Sequence, residues 1–169
     1  MKITNLVLGP LQTNCYILTI ENENIIIDPA DNPELIMQNI NGKIVGILIT
    51  HYHFDHIGGL NYFRNIPIYD YKNLLEGNAS ISKFKFEVIK TPGHKSDSIS
   101  FLFGKHLFCG DFIFKNAIGR WDLPTGNLKE LQKSINKILK YDENLKIYPG
   151  HGETTTLKDE KKNLLMYLD

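Results

Sequence analysis

Three histidines and an aspartate fall within one segment of six residues, from His51 to His56. The segment follows the apolar run Ile47 to Ile49, which predicts a buried strand that ends where the histidines begin. In extended chain, His51 and His53 point to the same side. Clustered buried polar groups without partners are costly, so such a dense cluster is difficult to explain by structure alone. Imidazole and carboxylate donors without a thiolate suit zinc, manganese or iron.

The order of residues in this segment favours two metal positions. His51 and His53 can share one ion. Asp55 and His56 are adjacent, and Gly58, soon after them, is where we expect a helix to begin. That helix would turn the pair toward a different point, which favours a second ion. The alternative is a loop of solvated or otherwise satisfied histidines, and each added histidine makes it less favourable.

Three further apolar runs end in glycine followed by a residue that can bind a metal. The segments are Thr91-Pro92-Gly93-His94, Gly110-Asp111 and Pro149-Gly150-His151-Gly152. Glycine allows the tight turn and close backbone approach that a metal site at the rim of a sheet requires. Taken singly, each candidate ligand is as consistent with a surface turn. Taken together the ligand interpretation is favoured, because five of the six histidines then occupy strand ends.

Composition limits the class of protein. With 169 residues and 42% hydrophobic composition, residues 1–169 are expected to form a single domain with an ample core. Lys+Arg and Asp+Glu both number 19, so we expect no nucleic-acid or membrane partner. The sequence has no apolar signal segment and no run near the roughly 20 residues of a membrane span, and we expect a cytoplasmic protein. Cys15 and Cys109 are expected to be reduced and buried.

Apolar runs and turn residues predict many strands with helices at intervals. Strands are expected at 15–20, 24–28, 44–49, 66–69, 84–89, 99–103, 106–109 and 145–148. Helices are expected to start near 31–33 and near 58, and to span 127–140 and 158–168, with Asn127 and Glu130 as a capping box. This order predicts layered sheets covered by helices.

These motifs resemble the metallo-β-lactamase superfamily, and within it the short, single-domain glyoxalase II-like (hydroxyacylglutathione hydrolase-like) proteins. The matching segments are His51-Tyr52-His53-Phe54-Asp55-His56, Pro92-Gly93-His94, Gly110-Asp111, Pro149-Gly150-His151-Gly152, Thr13-Asn14-Cys15-Tyr16 and Ile118-Gly119-Arg120-Trp121-Asp122-Leu123-Pro124. The match extends over nearly the whole chain. The resemblance implies an α/β fold, namely a four-layer αββα sandwich in which two mixed β-sheets are flanked by helices.

The resemblance also implies two divalent metal ions, with zinc expected and iron or manganese as alternatives. Seven ligands are implied in two sets joined by one carboxylate: His51, His53 and His94 for one ion, Asp55, His56 and His151 for the other, and Asp111 bridging them. Asp55 would also be catalytic, because it could orient the nucleophile. Similar positions in relatives suggest that Arg120 contacts a carboxylate of the substrate thiol. An ion pair with Asp122 explains Arg120 equally well.

The activity implied is hydrolysis of a small-molecule thioester by a metal-bridging hydroxide. A thioester suits such a site, because its leaving thiol has a pKa near 8.5 and needs no strong general acid. True metallo-β-lactamases commonly carry a thiolate at the position of Asp111, so β-lactam hydrolysis is disfavoured. Glyoxalase II holds glutathione with an additional helical C-terminal domain, whereas only 18 residues follow His151 here, so the resemblance leaves glutathione specificity open.

Two other functions stay open. A persulfide dioxygenase of the same superfamily shares all seven ligand positions, yet uses one iron held by two histidines and one aspartate. Leu123 and Pro124 favour the glyoxalase II-like hydrolase over the dioxygenase. A non-catalytic metal-binding module is the other alternative, although no residue of the ligand set is missing. The sequence does not indicate an oligomeric state.

Overall fold

Two β-sheets pack face to face in a computed structural model that describes residues 1–168. The first sheet contains five strands in chain order, which are β1 (Lys2–Leu8), β2 (Thr13–Ile20), β3 (Glu23–Ile27), β4 (Lys43–Leu48) and β5 (Ile68–Tyr69). Strands β1, β2 and β3 are antiparallel, whereas β4 runs parallel to both β3 and β5. The first sheet is therefore mixed.

The second sheet contains six strands. They are β6 (Gly77–Ile81), β7 (Phe84–Lys90), β8 (Ile99–Phe103), β9 (His106–Gly110), β12 (Lys146–Pro149) and β13 (Thr155–Thr156). Their spatial order is β13-β12-β9-β8-β7-β6, and only β12 and β9 are parallel neighbours within it. A separate hairpin, β10 (Ile113–Phe114) and β11 (Ala117–Ile118), follows β9.

Helices cover the outer faces of both sheets. They are α1 (Pro33–Gln38), α2 (Phe54–Ile57), α3 (Leu128–Ile138) and α4 (Leu157–Leu165), with a short 3-10 helix at Leu60–Phe63. Ile36 of α1 packs with Ile26 and Ile47 of the first sheet. Helices α3 and α4 pack on the outer face of the second sheet, where α3 contributes Leu131 and Ile135.

The main core lies between the two sheets. Alternate residues of a strand point to opposite faces, so Tyr16 and Leu18 of β2 face the second sheet while Ile17 faces α1. On the facing sheet, Phe101 and Phe108 belong to the same buried cluster. Burial on both faces explains why these strands read as continuous apolar runs. The order helix, sheet, sheet, helix confirms the predicted αββα class.

The segment after the first histidines is helical earlier than expected. A helix start near Gly58 was expected, and a 3-10 helix does begin at Leu60 after the N-cap Gly59, but α2 precedes it from Phe54, with His53 in extended conformation before it. The chain packs closely against the preceding loop where α2 ends. A Cβ at Gly58 would overlap the carbonyl of Ala30, and the amide of Gly59 donates to the Pro29 carbonyl at 2.8 Å.

Other differences are smaller. No strand was predicted at 77–81, where β6 forms because its polar residues pair with β7. Helix α4 ends at Leu165 rather than at 168. Asn127 caps α3 by accepting from the Glu130 amide at 3.1 Å, but the amide of Asn127 donates to Gly93, so the reciprocal half of the capping box is absent.

Two expectations about the whole chain can be checked in the described residues. Cys15 and Cys109 are both buried and free, which confirms that part of the prediction. Within residues 1–168, no helix is long and apolar enough to cross a membrane.

Candidate metal centre

All seven predicted ligands meet at one end of the sandwich. They lie on loops and turns that follow strands of both sheets: His51 and His53 after β4, Asp55 and His56 in α2, His94 after β7, Asp111 after β9, and His151 after β12. Their donor atoms form two groups, and the atoms of each group lie within 4.8 Å of one another. Residues from 51 to 151 are therefore brought together by the packing of the two sheets.

The first group consists of three histidines and an aspartate. His51 Nε2 lies 3.1 Å from His53 Nδ1, which lies 2.9 Å from His94 Nε2. Asp111 Oδ2 is 3.5 Å from His94 Nε2. Around a tetrahedral zinc ion with Zn–N bonds of about 2.0–2.1 Å, neighbouring ligand atoms are roughly 3.3 Å apart. The spacing of these donors fits one such ion.

The second group consists of Asp55, His56 and His151. Asp55 Oδ2 lies 3.2 Å from His151 Nε2 and 3.5 Å from His56 Nε2. Asp111 approaches this group as well, with Oδ1 at 3.3 Å from His56 Nε2 and Oδ2 at 3.6 Å from His151 Nε2. The Asp111 carboxylate therefore lies between the two groups, at the place where a bridging ligand is required.

Two ligand histidines are oriented through Asp28 and Thr50. The Thr50 hydroxyl donates to Asp28 Oδ2 at 2.6 Å, so its oxygen is left to accept the Nδ1 proton of His51 at 3.1 Å. His56 donates its own Nδ1 proton to Asp28 Oδ2 at 2.8 Å. Since a neutral imidazole carries one proton, the Nε2 lone pairs of His51 and His56 are directed into the centre.

Two more ligand histidines are oriented by main-chain carbonyls. His94 donates from Nδ1 to the carbonyl of Arg120 at 2.7 Å, and His151 donates from Nδ1 to the carbonyl of Leu11 at 3.0 Å. In the neutral imidazole, the Nε2 atom of each histidine then offers its lone pair to a metal.

Burial favours the uncharged form of His51 and His53 in the first group. Loss of solvent lowers the pKa of His51 well below its usual value, and neighbouring His56 lowers it further. Burial also lowers the pKa of His53, with a contribution from the nearby His94. A metal binds the neutral form of histidine, so these two side chains are in the required state at neutral pH.

In the second group, carboxylates and histidines stabilise one another's charged forms. Burial alone would lower the pKa of His56, but the carboxylates of Asp111 and Asp28 outweigh it and raise that pKa to about 10. The carboxylates of Asp111 and Asp55 raise the pKa of His151 to about 10 as well. Burial would raise the pKa of both Asp55 and Asp111, but contacts with histidine hold both below their usual range. Two partly buried, ionised carboxylates thus favour positive charge at this point.

Two atoms of the centre show that the donors fit a cation. His56 Nε2 and Asp111 Oδ1 are buried 3.3 Å apart, and among the described residues neither has a hydrogen-bond partner. Buried polar atoms in folded proteins are nearly always satisfied. An ion that binds both would satisfy them, and the nitrogen and oxygen donor set suits zinc, iron or manganese.

Two glycines make room for the ligands. Gly110 has φ +52°, and a Cβ there would overlap Thr50 Oγ1. A Cβ at Gly150 would overlap Asp111 Oδ1 and the His56 ring. These glycines follow or end strands of the second sheet, so the sequence pattern of an apolar run ending in glycine reflects close packing against the centre.

The centre opens into a cavity of about 770 Å³. Besides metal-ligand candidates, its lining is largely apolar and includes Leu11, Phe54, Phe114, Ile118, Leu123 and Pro124. Arg120 also lines it, and its guanidinium donates two hydrogen bonds of 2.9 Å to Asp122. Two roles were considered for Arg120, contact with a substrate carboxylate and an ion pair with Asp122. In this structure its side chain forms the ion pair.

Some residues that build the centre received no role from the sequence. Asp28 orients one ligand directly and another through Thr50, and Thr13 donates to Asp55 Oδ2 at 2.9 Å. Asp28 follows the apolar run of β3 directly, without the glycine that precedes Asp111. A signal based only on an acidic residue at the end of an apolar run would have included Asp28.

A sequence model of the metallo-beta-lactamase superfamily matches residues 8–72 and 67–151, which include all seven candidate ligands. The chain belongs to the metallo-beta-lactamase superfamily. Among superfamily members, a Bacillus subtilis protein named as a metallo-hydrolase is 32% identical, over 96% of this chain and 96% of its own length.

Two further superfamily members are informative. A hydroxyacylglutathione hydrolase of Francisella philomiragia is 36% identical over 80% of this chain, but the match covers only 61% of that enzyme. The crystal structure of the B3 metallo-beta-lactamase BLEG-1 superposes with a TM-score of 0.88 at 31% identity, over 99% of this chain and 100% of that one. These relatives establish the superfamily and its fold.

Proposed function

We propose that the protein is a dinuclear, metal-dependent hydrolase that acts on thioesters in the manner of glyoxalase II. The observation that carries the proposal is the convergence of two groups of donors, joined by Asp111. The proposed ligands are His51, His53 and His94 for one ion, Asp55, His56 and His151 for the other, and Asp111 for both. Zinc is the proposed metal, with iron or manganese as alternatives.

The proposed chemistry divides between the ions and the protein. When bound, two divalent ions polarise a carbonyl oxygen and lower the pKa of water from near 16 toward 7. Asp55 is held by the Thr13 hydroxyl at 2.9 Å, and its pKa stays below the usual range, so it is an ionised acceptor of fixed orientation. It can hold a proton of the attacking water and so orient the nucleophile.

The lining of the cavity supports a thioester over an amide. An amide needs a proton on its leaving nitrogen, whereas a thiol with a pKa near 8.5 leaves as thiolate. Lys95 and Arg120 are the lysine and the arginine that line the cavity among the described residues, and both are in ion pairs, with Asp97 at 2.7 Å and Asp122 at 2.9 Å. Neither is free to act as a general acid without breaking its pair.

Metal analysis and four assays test this proposal. Protein purified without chelator is analysed for metal, then assayed with S-lactoylglutathione, with a thioester of N-acetylcysteamine, with nitrocefin, and for oxygen uptake with glutathione persulfide. Two ions per chain with turnover of a thioester support the proposal. One iron with oxygen uptake replaces it by a dioxygenase, and nitrocefin turnover without thioester turnover replaces it by a β-lactamase. Metal without any turnover leaves a non-catalytic module.

A further inference from the structure

We propose that the preferred substrate carries an uncharged, apolar acyl chain, which extends from the metal centre past Leu11 and Phe54 into a second groove. This inference rests on the proposed thioester hydrolase and names the substrate class of that site. The inference concerns the acyl chain beyond the reacting carbonyl, which takes no part in the chemistry. Apolar side chains of the protein would contact this chain and so determine specificity.

Leu11 and Phe54 are exposed next to the centre. Leu11 is 52% exposed and Phe54 is 76% exposed, although both are large apolar side chains. Both line the 770 Å³ cavity, and both also line an adjoining groove of about 380 Å³. Asp55, a proposed ligand, lines both spaces as well. The groove therefore adjoins the cavity of the metal centre, and an apolar ligand there would cover surface that water otherwise meets.

The charge of the groove disfavours an acidic acyl chain. Its remaining lining includes Leu8, Pro10, Ala30 and Asp31. Among the described residues that line it, there is no lysine, arginine or histidine. A carboxylate at the far end of an acyl chain would therefore lose its hydration and approach Asp31 without a compensating cation.

Among the described residues, the lysine and the arginine that line the larger cavity are both already paired with aspartates. Lys95 donates to Asp97 at 2.7 Å, and the side chain of Asp97 is almost fully buried. Arg120 is held by Asp122 through two hydrogen bonds of 2.9 Å. A carboxylate on the substrate would have to displace an existing partner, so its charge adds little to binding, whereas apolar contacts are available throughout the lining.

The wall formed by Leu11 is held in place independently of any ligand. The carbonyl of Leu11 accepts from His151 Nδ1 at 3.0 Å, and the amide of Gln12 donates to the Gly9 carbonyl at 3.1 Å. This turn is thus tied to a ligand of the centre. An apolar chain would enter a groove that is largely formed already, which limits the entropy cost of binding.

Three thioesters of N-acetylcysteamine test the inference, because their acyl chains have equal length and different charge. They are the hexanoyl, adipoyl and 6-(trimethylammonio)hexanoyl thioesters. We expect kcat/KM for the hexanoyl compound to exceed both others by about tenfold or more. Equal or faster turnover of the adipoyl compound overturns the proposal. Preference for the trimethylammonio compound also overturns it, and indicates a cation bound near Asp31.

Variants locate the effect in the groove. Leu11→Ala and Phe54→Ala are each expected to raise KM for the hexanoyl thioester about tenfold, equivalent to about 1.4 kcal/mol, with little change for the adipoyl compound. Leu75→Ala is the matched control, since Leu75 is 84% exposed and lines neither space. Losses of equal size in Leu75→Ala, or for both substrates, overturn the proposal.

A binding measurement separates this inference from the proposed hydrolase activity. The thioether S-hexyl-N-acetylcysteamine cannot be hydrolysed, and its affinity for metal-loaded protein is measured by calorimetry. We expect Leu11→Ala to weaken binding about fivefold or more, and Leu75→Ala to leave it unchanged. If this pattern is found but no thioester is hydrolysed, the groove stands and the hydrolase proposal fails. If all three thioesters are hydrolysed equally well, the hydrolase stands and this inference fails.

Discussion

Asp28 accepts the Nδ1 proton of His56 at 2.8 Å, and both side chains are buried. The same carboxylate accepts the amide of Thr50 at 2.8 Å and its hydroxyl at 2.6 Å. Through Thr50 it also determines which nitrogen of His51 faces the centre. One aspartate at the end of β3 thus orients a proposed ligand of each ion.

Asp28→Asn is expected to weaken metal binding. Asparagine has one acceptor oxygen, whereas Asp28 accepts from three donors, the amide and hydroxyl of Thr50 and Nδ1 of His56, so at least one of these hydrogen bonds must be lost and the support of the two histidines weakens. Loss of such a supporting contact typically reduces metal affinity about 10–100-fold. Competition with a chromophoric chelator measures the effect. Asp142→Asn, at an exposed aspartate, is the control, and unchanged affinity in Asp28→Asn would contradict the assigned role.

Asp111→Ala is expected to reduce both metal content and turnover more than loss of any single histidine ligand. The reason is that Asp111 contacts donors of both groups, within 3.3–3.6 Å. Elemental analysis and thioester kinetics of Asp111→Ala are compared with those of His53→Ala. Full metal loading and turnover in Asp111→Ala would show that its carboxylate does not bridge.

Gly150→Ala is expected to lower metal content, because the added Cβ would overlap Asp111 Oδ1 and the His56 ring. Gly104→Ala provides the contrast. Gly104 has φ +61° with open space around its Cα, so alanine there should cost stability, by about 1–2 kcal/mol, without affecting the metal. Metal analysis and thermal melts of both variants distinguish the two effects. Normal metal content in Gly150→Ala would refute the steric argument.

Arg120→Ala distinguishes the two interpretations of this residue. Since the guanidinium is paired with Asp122 on an exposed loop, we expect kcat/KM to change by a similar small factor for acidic and uncharged thioesters. Binding of a substrate carboxylate would instead raise KM for acidic thioesters alone, by about tenfold. Kinetics with one substrate of each kind, for wild type and variant, give the answer.

Both cysteines are expected to resist thiol reagents in the folded protein. Cys15 and Cys109 are buried, and burial raises the pKa of both thiols, that of Cys109 to about 12. Very little thiolate is then present at neutral pH, and thiolate is the reactive form. A disulfide reagent should react with neither thiol in native protein and with both after denaturation. Rapid labelling of the native protein would show that one site opens readily.

The convergence of the candidate ligands could be predicted from the sequence, because they follow apolar runs that end at the same end of the sandwich. His94, Asp111 and His151 are far apart along the chain, yet each stands just beyond a strand of the second sheet. Packing of two sheets with buried strands then brings their ends together. Pattern and glycine spacing are local signals, and here they coincide with the position of the candidate ligands.

Other features depend on contacts that sequence patterns do not reveal. Helix α2 ends at its C-cap Gly58, where the chain approaches the Ala30 carbonyl too closely for a side chain, and the sequence pattern does not reveal this contact. The strand at 77–81 is polar and forms because β7 offers hydrogen bonds. The pairing of Arg120 with Asp122 is a side-chain choice between two partners, and only the geometry of the loop decides it.

Leu11 and Arg120 share an arrangement that bears on how this protein could evolve. Each lines the cavity with its side chain, while its main-chain carbonyl holds a ligand histidine, His151 or His94. Every amino acid has a carbonyl, so mutation at either position can alter what the pocket accepts while the imidazole behind it keeps its hydrogen bond. If the centre binds metal as proposed, single substitutions at these two positions are expected to change substrate preference while the support of the two histidines is kept.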